Sequence, residues 1–75
     1  MKQISDPKPG QLYRIEWCIE ELNMEGEEVG TYTLFEENGE TYFDFKIDGE
    51  KMIYRFELHH IISVNEYNYD RRSRL

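Results

Sequence analysis

A small, mainly β domain is what this 75-residue sequence predicts, and three observations predict it. Residues 13–19 alternate apolar and polar side chains with period two. Asn38-Gly39 and Asp48-Gly49 separate three β-rich runs between residues 29 and 58. Six Tyr, four Phe and one Trp supply far more aromatic surface than a disordered acidic chain would carry.

In chain order, Pro7, Pro9 and Gly10 mark residues 1–10 as an extended lead-in. In LYRIEWCIEEL, Tyr13, Ile15, Trp17 and Ile19 fall on one face and Arg14, Glu16, Cys18 and Glu20 on the other, as in a half-buried strand. A helix also fits: Leu12, Ile15, Cys18, Ile19 and Leu22 have helical spacing, with Ser5 or Asp6 near a start and Gly26 as a stop. That alternative is an α+β fold, one N-terminal helix on a three-stranded antiparallel meander. It leaves Tyr13, Trp17 and Met24 off the apolar face, so the strand is preferred.

Asn-Gly and Asp-Gly supply the positive φ angles of two-residue hairpin turns. They divide the next segment into VGTYTLFE, TYFDFKI and KMIYRFEL. In the middle run Phe43, Phe45 and Ile47 oppose Tyr42, Asp44 and Lys46. In the last, Met52, Tyr54, Phe56 and Leu58 oppose Ile53, Arg55 and Glu57. After a break at His59-His60, IISVNEY supplies a fifth strand. The layout is a lead-in at 1–10, a single β-rich domain at 11–67 and a basic tail at 68–75.

Five short strands with one long acidic connection after the first suggest a small closed barrel, because an open sheet of this size exposes a face and its edges. The pattern PGQLYRIEW … ENGETYFDF … GEKMIYRFELHHIISVNEY resembles SH3-like and Sm-like barrels. There, a fourth strand runs through a leucine and a tight helical turn into a closing strand, as Leu58 leads through His59-His60 to Ile62 and Val64 here. The resemblance covers residues 9–67 and implies a five-stranded barrel topology rather than an activity. The basic or amide-rich RNA-binding loop of Sm-like proteins is not recognisable. The acidic Sm-like antagonist of the termination factor Rho offers a looser analogy, and the chain is also loosely similar, as a class, to small acidic phage-type inhibitor proteins.

Charge narrows the function. Residues 11–67 hold fourteen carboxylates and four basic side chains, a net −10, and the tail then adds Arg71, Arg72 and Arg74 against Asp70. Nucleic-acid affinity rests on Lys and Arg neutralising phosphates, so direct binding of nucleic acid by the folded face is not expected. No apolar run approaches a bilayer-spanning length, and MKQISDPKPG has no apolar signal core, so neither membrane nor export is expected. The single cysteine, Cys18, needs no oxidising compartment, and a cytoplasmic location follows as the expectation.

Catalytic and cofactor signals are missing, and no enzyme or cofactor is expected. Cys18 lies inside a regular element rather than at a nucleophile turn, and the five glycines form no phosphate loop. His59 and His60, read as neighbours in or beside a strand, point to opposite faces and do not serve one metal ion. They are expected to be turn residues, with no metal site.

What remains is the stretch EELNMEGEEVG, which reads as an acidic hairpin loop. Either it keeps an aromatic-rich protein soluble, or Glu20, Glu21, Glu25, Glu27 and Glu28 join Glu36, Glu37 and Glu40 on one surface that engages a basic groove. Tyr42 on the outer strand phase, and Tyr67 and Tyr69 in the tail, are further partner-binding candidates. The expected function is therefore a non-enzymatic module that binds and inhibits or regulates a basic, nucleic-acid-handling protein. The alternative is a self-associating structural or adaptor module of the barrel type.

Overall fold

A computed structural model describes residues 4–68. Five strands, β1 (Leu12–Ile19), β2 (Met24–Glu37), β3 (Glu40–Ile47), β4 (Ile53–Glu57) and β5 (Ile61–Tyr67), form one antiparallel sheet in the order β4-β3-β2-β1-β5. Two 3-10 turns, Glu20–Leu22 and Leu58–His60, follow β1 and precede β5. There is no α-helix among the described residues, so the helical alternative for residues 12–24 is not adopted. No helix among the described residues is long and apolar enough to cross a membrane.

Period-two alternation has the expected consequence in β1, where Tyr13 and Ile15 are buried and Arg14 and Glu16 exposed. The core comprises Tyr13, Ile15, Tyr32, Phe43, Phe45 and Ile61. Its aromatic rings form a continuous series. Tyr13 meets Tyr32 edge-on at 4.9 Å between centroids, Tyr32 stacks on Phe43 at 4.5 Å, and Phe43 neighbours Phe45 at 6.2 Å. Trp17 of β1 meets Phe56 of β4 at 5.4 Å, although β2 and β3 lie between those strands in the sheet order. The sheet therefore curls upon itself around this core.

The lead-in is anchored to one end of that core. Ile4 packs against it, the Tyr32 hydroxyl donates to the Ser5 carbonyl at 2.7 Å, and the Lys8 amide donates to the Tyr13 hydroxyl at 2.9 Å. A turn through Pro9 and Gly10, closed by the Gln11 amide on the Lys8 carbonyl at 3.2 Å, then delivers the chain into β1.

Two boundaries differ from the sequence expectation. First, the acidic stretch is not a loop. The connection after β1 is the 3-10 turn and Asn23, whose φ of 55° turns the chain back, and β2 begins at Met24. Its first half lacked a strand signal because Gly26 and Gly30 occupy core-facing positions. A side chain at Gly26 would meet the Trp17 indole, and one at Gly30 would collide with the Lys46 carbonyl. Packing thus requires at both positions the residue that strand propensity disfavours.

Second, Asn38 and Gly39 form the expected two-residue hairpin turn, with φ of 54° and 81°, whereas Asp48 and Gly49 form the centre of a β-turn, Gly49 at φ 89°, that does not join β3 directly to β4. Here the Glu50 amide donates to the Ile47 carbonyl and the Asp48 amide to the Val29 carbonyl, and β4 starts only at Ile53. Met52 falls outside the strand and is exposed, while Leu58 enters the second 3-10 turn. Tyr67, named among the tail candidates, ends β5 opposite Leu12, where the run IISVNEY places it. Tyr69 and the tail arginines lie outside the described residues.

Candidate functional site

The eight glutamates singled out from the sequence fall into two groups. Glu20 and Glu21 sit on the first 3-10 turn, and Glu25 and Glu27 follow on the outward phase of β2, all exposed. Glu36, Glu37 and Glu40 cluster at the tip of the β2–β3 hairpin. Ten residues of strand separate Glu27 from Glu37, about 33 Å of contour at the usual rise. Glu28 stands opposite Ile15 on the core-side phase and is half-buried, so it leaves the row made by Glu25 and Glu27.

A residue outside the sequence selection joins the first group. Glu16 of β1 is directly opposite Glu27, and Cys18 is opposite Glu25. Like charges directly opposed on a sheet are destabilising. Arg14, 3.5 Å from Glu27, and the Ser63 hydroxyl, which donates to Glu16 at 2.8 Å, relieve part of this. The β1–β2 register reveals the pairing; without a recognised strand at residues 24–28 the sequence offered no signal for it.

Tyr42 lies in a second arrangement, on the outer phase of β2, β3 and β4. Arg55 forms a bidentate pair with Asp44 at 2.8 and 3.0 Å, and its guanidinium lies 4.7 Å from the Phe35 ring centre and 5.1 Å from that of Tyr42. The hydrogen bond to Asp44 raises the Arg55 pKa further above its ordinary value, against a smaller opposing effect of desolvation. Tyr67 is far along the sheet from this cluster in strand order, and carries Arg14 over its ring at 5.6 Å. The structure therefore does not unite Tyr42 and Tyr67 in one patch.

The two 3-10 turns create the third arrangement. β1 and β5 are antiparallel neighbours, so the turn leaving β1 and the turn entering β5 lie side by side. Glu21, His59 and His60 thereby bring one potential ligand atom each to within 4.8 Å of one another. The objection that adjacent strand residues face opposite ways does not apply, because both histidines lie in a turn, with ring centroids 4.1 Å apart. A cavity of about 320 Å³ is lined there by Cys18, Glu20, Glu21, His59, His60 and Ile62. The Glu21 carboxyl is held below its ordinary range, chiefly by a hydrogen bond from its own backbone amide; desolvation opposes this, and both histidines assist. Among the described residues no hydrogen bond joins the Cys18 thiol to either imidazole.

A depression of about 600 Å³ lies elsewhere, between the lead-in and β5 over Tyr13 and Tyr32. Two of the polar groups that line it are already engaged: Lys8 pairs with Glu66 at 2.8 Å, and the Tyr32 hydroxyl is committed to Ser5. No reactive groups converge in it, so size alone does not make it a site. Comparison with family models, curated proteins and solved structures gives no match.

Proposed function

We propose that this chain is a non-enzymatic protein-binding module whose acidic strand face engages a basic, nucleic-acid-handling protein and inhibits or regulates it. The observation that carries the reading is the outward row of Glu16, Glu25 and Glu27 on paired strands, flanked by Glu20 and Glu21, with Arg14 as its near counter-charge. Carboxylates mounted on a sheet lose less freedom on binding than those of a loop. Their summed field would accelerate encounter with a positive groove. In a groove that holds nucleic acid, they would stand where phosphates stand.

An SH3-like or Sm-like barrel is the architecture we assign to the module. The strand order, the 3-10 turn between β4 and β5 and the approach of Trp17 to Phe56 support that assignment. The mode of action is proposed by analogy with small acidic phage-type inhibitors as a class. The test is capture from a lysate of the source cells by wild type and by E16Q/E20Q/E25Q/E27Q, with E50Q as control. The expected result is a basic nucleic-acid-binding protein retained by wild type and E50Q, lost by the quadruple variant, with an association rate that falls as salt rises. Equal capture by all three chains would reduce the acidic face to a solubility surface.

One observation favours a second reading, self-association. The β4 edge exposes Ile53 and Tyr54 beside Met52, and an exposed apolar edge strand is a template for pairing with a second copy. Sedimentation at rising concentration distinguishes the readings: a strict monomer removes the self-associating module, whereas a dimer lost on I53K supports it.

A further inference from the structure

The geometry points to a transition-metal site formed by Glu21, His59 and His60, suited to a divalent ion of the zinc class. Two imidazole nitrogens and one carboxylate oxygen are a donor set that such ions take, with a fourth position left for water or another ligand.

Two independent observations support it. The first is convergence. The three ligand atoms lie within 4.8 Å of one another, and His60 Nε2 is already 3.6 Å from Glu21 Oε1. Tetrahedral ligands at zinc bond lengths stand about 3.3 Å apart, so closure requires shifts of about an ångström. Glu21, whose side chain is 70% exposed, is free to make most of that movement.

The second is an unsatisfied nitrogen. His60 Nε2 is buried and has no hydrogen-bond partner, since 3.6 Å to Glu21 exceeds hydrogen-bond reach. Buried polar atoms are nearly always paired, and an exception calls for a specific explanation. A metal ion between His60, Glu21 and His59 would satisfy that nitrogen. Glu57, 3.5 Å from His59 Nδ1, adds negative charge beside the second imidazole and would strengthen it as a donor.

The site also has a structural logic. Glu21 belongs to the turn that ends β1, and the histidines to the turn that begins β5. An ion there would tie the two turns together at the end of a strand pair, where regular sheet hydrogen bonding stops. Cys18 lines the same cavity from β1, but its thiol is not in the convergent set. Three protein ligands are therefore assigned, and the thiol is not required.

The experiment titrates Zn2+ alone into the full chain, free of any histidine tag, by calorimetry, and Co2+ into a parallel sample by visible absorption. One Zn2+ per chain is expected, with a Co2+ spectrum of low coordination number and a rise in melting temperature. E21Q, at an exposed position, and H59A should each weaken Zn2+ binding by about tenfold or more. C18S and E25Q should bind as wild type does. E21Q has no reason to unfold the chain, so its result stands even if an H60A chain does not fold. Absence of stoichiometric binding, or binding that ignores E21Q and H59A, would overturn the assignment. Loss of binding in C18S with those two variants unaffected would overturn it as well, by tracing the ion to the thiol alone.

Discussion

Neutralising Glu16 should make this protein more stable and a weaker binder, because its charge opposes that of Glu27 across β1 and β2. Directly opposed side chains on neighbouring strands have Cβ atoms about 5 Å apart, and a like-charge pair there destabilises by about 0.2–1 kcal/mol. Arg14, at 3.5 Å from Glu27, shares the field but is half-exposed and gives only partial relief. E16Q removes the repulsion and keeps an oxygen to accept from Ser63 Oγ, now 2.8 Å from the carboxylate. The expected gain is about 0.5 kcal/mol, which for a domain of this size is about 2–4 °C in melting temperature. E16K should gain about twice as much, by turning repulsion into attraction. Thermal unfolding followed by circular dichroism, in 20 mM and 1 M salt, is the assay. The gain should shrink at 1 M, where the Debye length is about 3 Å. An E16Q chain that melts at or below wild type in low salt would refute the strand register, and with it the rigid acidic face. So would a gain that survives high salt unchanged.

Other consequences follow from the packing. G30A should destabilise by about 1–3 kcal/mol in urea titration, since its methyl group meets the Lys46 backbone rather than a movable side chain. F43A, at a fully buried position, should lose about 3–5 kcal/mol, against a total near 4–11 kcal/mol for a chain this long, and so approach complete unfolding at 37 °C. Burial, followed by the proximity of Tyr13 and Asp6, raises the Tyr32 phenol above its ordinary value of 10.0. The unfolded phenol therefore ionises first: the Tyr32 contribution is complete below about pH 10 and is lost as pH rises through the higher folded value. Urea midpoints should fall above pH 10, and fall less in Y32F, which also lacks the hydroxyl donated to Ser5.

By itself the sequence determined the strand class, the two-residue turn at Asn38-Gly39 and the inward faces of β1 and β3. Period-two alternation and positive-φ turn chemistry are local properties, carried by residues within a few positions of one another. It also determined the excess of carboxylates, which no fold can alter. Where local signals were weak or ambiguous, only tertiary structure decided. Gly26 reads as a loop residue, yet it is a strand residue because an indole from β1 occupies the space its side chain would need, as a carbonyl from β3 does at Gly30. That one misreading hid the extension of β2, the Glu16–Glu27 pairing and the separation of the two acidic groups. His59 and His60 were legible as a turn, but not as partners of Glu21, 38 and 39 residues earlier in the chain. Their meeting depends on β5 pairing with β1 rather than β4. Which strands become neighbours is a choice made by the whole core, and no short stretch of sequence records it.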